Sequence, residues 1–390
     1  MRFAHFADCH LGSWRQPELR QINLESFKLA IDISIKEKVD FVLIAGDLFD
    51  SAYPPVEILE EAFYQLRRLK DNNISCYFIA GSHDYSASGK TFLSVLEKAG
   101  FCTNVYSPEI REDKIFLNPI IHQNVAIYGY PGKKAGLEVQ ELKNVKLQDS
   151  PFFKVFALHT SIKGAVGSLP IESVEESSLP KADYYALGHL HINYCENNFV
   201  YAGPIYPNNF QELEELKYGS IYIVDTNPLK YRRIELKVKD VEFIDLEINN
   251  AMAANEIILH ELEKRDLKNK ILLLRIYGKL VQGKISDIAF SQIETYAKDK
   301  GCYSILKSIS QLEKEEAELK MEVDDMEVLE ENIIKKYNEE NNSKFNQFIP
   351  QLINAMSLEK EEDETSINFN SRLFSELNKT LNIENDNKKS

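Results

Sequence analysis

The sequence predicts an α/β protein made of a large first domain, a small second α/β unit and a helical, acidic tail. Over the first hundred residues, short apolar runs alternate with stretches of helical periodicity. A shorter alternation of the same kind begins at Val241. From Ser308 onward the strand signal stops, and 10 basic residues face 20 acidic ones.

Taken in order, Arg2–Ala7 reads as a strand, 24–38 as a helix, Phe41–Ala45 as a strand, 56–70 as a helix, 76–80 as a strand and 91–98 as a helix. This βαβαβα order belongs to layered α/β folds. Apolar runs at 125–130, 153–158, 184–187, 199–202 and 220–225 follow with fewer helices between them, which predicts a second half richer in antiparallel strands. The first domain is therefore placed at 1–240. Strand-like 243–248, helical 251–264, strand-like 271–277 and helical 285–298 form a compact accessory or cap unit at 241–306, too small to hold the first domain's chemistry.

A linker at 307–324, a helical region at 325–383 and a disordered end at 384–390 complete the expected organisation. Three apolar stripes recur at helical spacing in the tail. They are Met326, Leu329, Ile333 and Tyr337; then Phe345, Phe348, Ile349, Leu352, Ile353 and Met356; then Phe369, Leu373, Leu377 and Leu381. Short amphipathic helices with no sheet to cover need another surface for their apolar faces. That surface is either this chain's own domains or a partner, and the acidic linkers favour the partner. The expected partner contacts are Phe345, Phe348, Ile349, Leu352, Ile353, Leu373 and Leu377.

Composition bounds the function. The chain has 390 residues, 44% hydrophobic and 27% charged, enough for a full core. Its 46 basic and 61 acidic residues give a net charge of −15, which argues against coating nucleic acid by bulk charge. Any such contact must be local. The N-terminus enters a strand pattern directly, no run approaches the ~18 apolar residues of a membrane span, and the five cysteines are scattered and odd in number. A soluble protein of a reducing cytoplasm is expected.

Chemistry concentrates where the strand-like runs end. These ends read Asp8-Cys9-His10, Gly46-Asp47-Leu48-Phe49-Asp50, Gly81-Ser82-His83-Asp84, Leu158-His159-Thr160 and Gly188-His189-Leu190-His191. The carboxyl ends of strands in an α/β sheet open onto one crevice, so five segments deliver His and Asp to one place. In extended chain, residues i and i+2 share a face, which would present Asp8 with His10 and His189 with His191. Imidazoles and carboxylates without clustered thiols suit Mn, Fe or Zn. Any one of these pairs arises by chance, whereas five strand ends in sequence are far more specific. His5, His122 and His260 match nothing and are read as core or surface residues, and Cys9 as a packing residue.

These motifs resemble those of the calcineurin-like metallophosphoesterase superfamily (D-x-H, G-D, G-N-H-D/E, H, G-H-x-H). The closer likeness is to the meiotic-recombination-eleven nuclease family, called SbcD in bacteria, through Asp8-Cys9-His10-Leu11-Gly12, Gly46–Asp50 followed by Pro54-Pro55, and Tyr184–His191. The resemblance implies a layered β-sandwich with flanking helices and a site for two Mn ions, with Mg or another divalent ion as alternatives. Asp47 would bridge them, Asp8, His10 and His191 would complete one site, and His159, His189 and Ser82 the other. Two ions about 3.5–4 Å apart clamp a phosphodiester and activate the attacking water. His83 would protonate the leaving oxygen, with Asp84 orienting its ring. Ser82 departs from the family's usual Asn, whose amide oxygen binds the second metal, and Asp50 is given a supporting role.

The basic and aromatic segment Trp14–Arg20 offers Arg15 and Arg20 as candidate phosphate contacts, with a solvated surface loop as the plainer reading. The implied function is an exonuclease or endonuclease acting at DNA double-strand ends in break repair. It would be cytoplasmic and nucleoid-associated, a homodimer supported by the apolar pattern of 56–69, and docked through its tail on an SMC-like coiled-coil ATPase. Two alternatives stand beside it: a metallophosphoesterase of small phosphodiesters, and a DNA-end scaffold whose turnover is weakened by Ser82.

Overall fold

Phe41–Ala45 carries no polar residue and is buried at every position, as a central strand covered on both faces must be. In the computed structural model, which describes residues 1–84, 91–314, 343, 346–358, 360 and 366–381, this strand lies inside a six-stranded sheet. The strands in chain order are β1 (Arg2–Phe6), β2 (Phe41–Ala45), β3 (Ser75–Ile79), β4 (Thr103–Asn104), β5 (Pro108–Arg111), β6 (Lys114–Leu117), β7 (Ile120–His122), β8 (Val125–Tyr130) and β9 (Val145–Leu147). They continue with β10 (Phe153–His159), β11 (Tyr184–Gly188), β12 (Tyr194–Glu196), β13 (Phe199–Tyr201), β14 (Gly219–Thr226), β15 (Leu229–Leu236), β16 (Val241–Glu247), β17 (Ile271–Leu280) and β18 (Ser304–Lys314). The helices used below are α1 (Pro17–Lys36), α2 (Val56–Asp71), α3 (Phe92–Lys98), α4 (Glu138–Glu141), α5 (Lys163–Val166), α6 (Phe210–Leu216), α7 (Ala251–Glu263) and α8 (Phe290–Asp299).

The first sheet has the order β15-β14-β1-β2-β3-β4 and the second β12-β13-β11-β10-β8-β7. Side chains alternate across each strand, so each sheet has two apolar faces to cover. Phe3, Phe41, Leu43 and Tyr77 of the first sheet meet Val125, Val155, Ala157 and Tyr184 of the second in a core between the sheets. Ala4, Val42, Ile44 and Phe78 face α1, α2 and α3 through Phe27, Ile31, Ile58, Leu66 and Leu93. The second sheet's outer face carries Tyr128, Phe156 and Tyr201. This is the expected β-sandwich with flanking helices. The later part of the domain is the richer in antiparallel pairs, as expected, with β5 against β6, β7 against β8, β12 against β13 and β14 against both β1 and β15, while β8, β10, β11 and β13 run parallel. Parallel strands need only a connection that returns to the same edge, and here short turns, α4 and α5 accompany irregular chain rather than long helices.

Two differences concern helices. α1 begins at Pro17, a residue preorganised for the first helical turn, and so absorbs Arg20 from the expected loop. α2 is a single helix whose Ile58, Leu59, Ala62, Leu66 and Leu69 are buried against the sheet, so the apolar pattern read as dimer support is mainly core. Val56 and Tyr64 remain exposed on it.

From Val241 onward, β16, β17 and β18 form a three-stranded parallel sheet. One face is covered by α7 and α8 through Leu272, Leu274, Ile258 and Ile293. On the other, Ile271, Leu273 and Leu306 pack with Trp14, Leu19, Tyr206 and Leu213 of the first domain. The expected linker start at 307 is corrected, because β18 runs through Lys314 and Leu312 is buried in the second unit's core. Residues Met1–Glu315 form one compact unit.

In the separate unit beginning at Glu316, the helices Ile349–Met356 and Ser366–Thr380 pack on each other. Phe348, Ile349, Leu352, Leu373 and Leu377 are half-buried there, while Ile353, Met356 and Phe374 are exposed. Phe345 and the stripe 326–337 lie outside the described residues. No helix among the described residues is long and apolar enough to cross a membrane.

The unmatched histidines are structural. His122 Nδ1 meets the Tyr77 hydroxyl at 2.9 Å, and His260 is exposed on α7. His5 is fully buried with Nδ1 3.0 Å from the Tyr184 hydroxyl, and burial pushes its pKa down to about 3. The unfolded chain protonates this imidazole near its ordinary 6.5, so between there and about 3 the unfolded state holds the extra proton and stability falls with acid. Urea unfolding of metal-free protein at pH 7 and pH 4.5 should give a smaller loss in His5→Gln than in wild type. Equal losses would show that His5 does not titrate this way.

Candidate metal centre

Because β1 and β2 lie side by side in parallel, as do β10 and β11, their carboxyl ends open on one edge of the sandwich. Each ligand-bearing segment leaves its strand there through a tight turn. Asp8, His10, Asp47 and His189 all have left-handed backbones, with φ of 48°, 40°, 49° and 96°. Non-glycine residues held there cost about 1–3 kcal/mol each, strain that surrounding structure must maintain and that recurs at functional sites. Gly46 and Gly81 permit the crowding. A Cβ on Gly46 would lie 2.2 Å from His159 Nδ1, and one on Gly81 would lie 2.1 Å from Asp47 Oδ1.

The expected reason for the pairing is corrected by these angles. Asp8 and His10 lie beyond the end of β1, so it is the turn, not strand alternation, that aims them. His189 and His191 do not act as a pair either. His191 gathers with Asp8 and His10, while the His189 ring stands beside that of His159 at 5.1 Å between centroids.

Three sets of donors converge: Asp8, His10 and His191; Asp8, Asp47 and His159; and His10, Asp50 and His83. His10 Nε2 is 3.1 Å from His191 Nε2 and 3.6 Å from Asp47 Oδ2, and His159 Nε2 is 3.1 Å from Asp47 Oδ2. Two donors on one ion, each about 2.1 Å from it, stand roughly 3–3.6 Å apart. Asp8 Oδ2 and His159 Nε2 are buried without an aligned hydrogen bond, as atoms awaiting a cation would be. The donor set fits divalent ions. Ser82 Oγ lies 3.4 Å from Asp47 Oδ2, within reach of the same space, and the His189 ring lies outside the three sets.

The other nitrogen of two rings is hydrogen-bonded: His159 Nδ1 donates to the Ala45 carbonyl at 3.0 Å and His191 Nδ1 to Glu212 Oε1 at 3.0 Å, while His10 Nδ1 lies 3.3 Å from Asp50 Oδ1 without an aligned hydrogen bond. Such bonds fix the ring orientation and leave Nε2 inward. Glu212 was not anticipated. Its signal in the sequence is Asn209-x-x-Glu212, a helix-start pattern in which Asn209 Oδ1 accepts the Glu212 N–H at 2.9 Å.

Charge is tightly balanced. Burial raises the Asp8 carboxyl, with His191 and His159 opposing it. At Asp47 burial pulls the same way, but His159 and His10 overcome it and hold the carboxyl below its ordinary range. His159 is the complement: burial lowers it, yet Asp47 and Asp8 raise it to about 10. Asp47 and His159 thus favour each other's charged forms, and a cation that binds at His159 Nε2 competes with a proton there.

His83 sits at the mouth, with its side chain 49% exposed. Its backbone N–H donates to Asp47 Oδ1 at 2.8 Å, and its ring Nδ1 donates to the Asp50 carbonyl at 2.9 Å, which leaves Nε2 as the free nitrogen. The expected role of Asp84 is corrected. Asp84 is 1% exposed and accepts from the backbone N–H groups of Leu48, Phe49 and Gly81 at 3.2, 3.2 and 3.1 Å, so it ties two turns together, and Asp50 holds the His83 ring instead. Burial and the nearby Asp47 charge push the Asp84 carboxyl up to about 6.

The Trp14–Arg20 segment is also more structural than expected. Trp14 is buried with Nε1 donating to the Pro207 carbonyl at 3.0 Å, and Arg20 Nε donates to the Trp14 carbonyl at 3.0 Å. Arg15 is exposed.

The family model of the calcineurin-like phosphoesterases matches residues 1–193. The DNA double-strand break repair protein Mre11 of Methanocaldococcus jannaschii is 31% identical over 298 residues, covering 72% of this chain and 76% of that protein. The uncharacterized metallophosphoesterase YhaO of Bacillus subtilis is 31% identical over 227 residues, and the chain spans about half its length, 53%, using 54% of its own. Among solved structures, TT1561 of Thermus thermophilus covers 60% of this chain at 12% identity, with a TM-score of 0.37.

Proposed function

Since the chain belongs to the calcineurin-like phosphoesterases, in the family of the DNA double-strand break repair protein Mre11, and is a metal-dependent phosphodiesterase, we propose that it is a nuclease acting on DNA double-strand ends. What supports a polymeric substrate is the shape of the mouth. His83 and Asp50 are open to solvent at 49% and 40%, while His10 and Asp47 behind them are 3% exposed. A strand thus has access to one side of a closed donor cluster.

Bound divalent ions, Mn²⁺ in this reading, supply Lewis-acid charge to the phosphoryl oxygens and lower the pKa of the attacking water. Asp8, His10 and His191 would hold one ion and His159, Ser82 and His189 the other, with the Asp47 carboxylate within reach of donors from both groups. The chain's own residues do the rest. His159 Nδ1 and His191 Nδ1 are fixed by hydrogen bonds, so their Nε2 atoms face inward without rearrangement. His83, held by the Asp50 carbonyl, delivers a proton from Nε2 to the departing sugar oxygen. Arg15, exposed on the loop after His10, is the residue of that segment left to contact phosphate.

The tail carries the partner reading. Ile353, Met356 and Phe374 remain exposed on the paired helices Ile349–Met356 and Ser366–Thr380, an apolar surface suited to a coiled-coil ATPase of the SMC type. Exposed Val56 and Tyr64 on α2 support a homodimer.

The test is digestion of end-labelled linear duplex DNA by the purified chain, with and without Mn²⁺ and with a chelator, beside bis(p-nitrophenyl) phosphate. Mn²⁺-dependent release of label is expected. Hydrolysis of the small diester with no release of label, with or without the ATPase, would overturn the DNA reading.

A further inference from the structure

The short helix α6 touches two places at once. On one side Glu212 Oε1 accepts from His191 Nδ1 at 3.0 Å and from Asn209 Nδ2 at 2.6 Å, while its Oε2 accepts from the Asn208 backbone N–H at 2.8 Å. The carboxylate is therefore fixed at both oxygens before it meets the imidazole. On the other side Glu214 pairs with Arg275 of β17. The Arg275 guanidinium lies 5.1 Å from the Phe243 ring of β16 and 5.7 Å from the Phe210 ring of α6. Between them Leu213, fully buried, packs with Ile271, Leu273 and Leu306 of the three-stranded sheet.

We propose that Glu212 is the positioning residue of His191, and that α6 makes its aim depend on the seating of the three-stranded unit against the first domain. The proposal rests on the reading of His191 as a metal ligand. An imidazole has one rotatable ring and two nitrogens, and only a bond at Nδ1 selects the tautomer and angle that turn Nε2 toward His10 Nε2, 3.1 Å away. Glu212 and Glu214 lie two residues apart on one turn of helix. A shift of the sheet that released Arg275 or Leu213 would tilt that turn and move the carboxylate from the ring. Seating of the second unit, on which a large substrate would press, would then tune ion affinity at the Asp8, His10 and His191 set.

The experiment is calorimetric titration of the full-length, metal-free chain with Mn²⁺ alone. Glu212→Ala is expected to weaken one of the two ions by about 10–100-fold and leave the other near its wild-type affinity. Glu212→Gln, whose amide oxygen still accepts the Nδ1–H, should restore most of the loss. Arg275→Ala, far from the ions, should weaken the same ion by about 5-fold or more. Wild-type affinity in Glu212→Ala, equal weakening of both ions, or no recovery in Glu212→Gln would overturn the positioning role, and unchanged binding in Arg275→Ala would overturn the coupling. A wild-type chain that takes up no Mn²⁺ would overturn the two-ion reading together with this one. Normal binding with no DNA cleavage would leave the proposal standing and remove only the DNA reading.

Discussion

Replacing Asp47 by Asn is expected to lower Mn²⁺-supported phosphodiester hydrolysis by about a thousandfold or more, the rate equivalent of the several kcal/mol that metal charge contributes. Asp47 Oδ2 reaches imidazoles from different donor sets, 3.1 Å from His159 Nε2 and 3.6 Å from His10 Nε2. Asn is the informative substitution because it tolerates the left-handed backbone that Asp47 adopts, φ 49°, and keeps an oxygen for the His83 N–H. Its loss is therefore one of charge rather than of fold. The same variant should abolish the rise in unfolding temperature that Mn²⁺ gives the wild type, since a ligand stabilises only as far as it binds the folded state. An Asp47→Asn protein with wild-type turnover would remove Asp47 from the centre of the site.

His83→Gln should cost about 10²–10⁴-fold on DNA, the range for a missing general acid. The leaving group makes the prediction specific. A deoxyribose alkoxide needs a proton and p-nitrophenolate does not, so the same variant should lose far less on bis(p-nitrophenyl) phosphate. Mn²⁺ affinity should stay close to wild type, because His83 Nε2 points to the mouth and Nδ1 is committed to the Asp50 carbonyl. Equal losses on the two substrates would instead assign His83 to metal or phosphate binding.

The site was legible in outline because its chemistry is local in sequence. Each of these strands ends on a short motif carrying Asp or His, three of the five with a glycine, and parallel strands bring such ends to one edge whatever the register. The contributions of Glu212 and the Ala45 carbonyl were not legible in the same way, and Asp50 was legible only as a supporting residue. Glu212 lies 21 residues from His191, and only the return of the chain past Pro207 to α6 brings its Oε1 to the ring. Asp84 misled for the opposite reason. It follows His83 directly, yet its carboxylate turns inward to three backbone N–H groups, a choice set by unpaired amides in two turns that adjacency does not reveal.

Sequence alone determined the two α/β units and the apolar tail stripes, because apolar period and strand-end chemistry are properties of short windows. It also determined the types of residue available to hold metal. Tertiary structure decided the rest. The left-handed turns, not strand alternation, aim Asp8 and His10, and they separate His189 from His191. Strand direction in the second sheet depends on how the connections return. Trp14 became a joint between units because the three-stranded sheet had an apolar face, Ile271, Leu273 and Leu306, left to cover. Short-range pattern fixes what a segment can be, and the burial of its remaining apolar face and polar groups fixes where it goes.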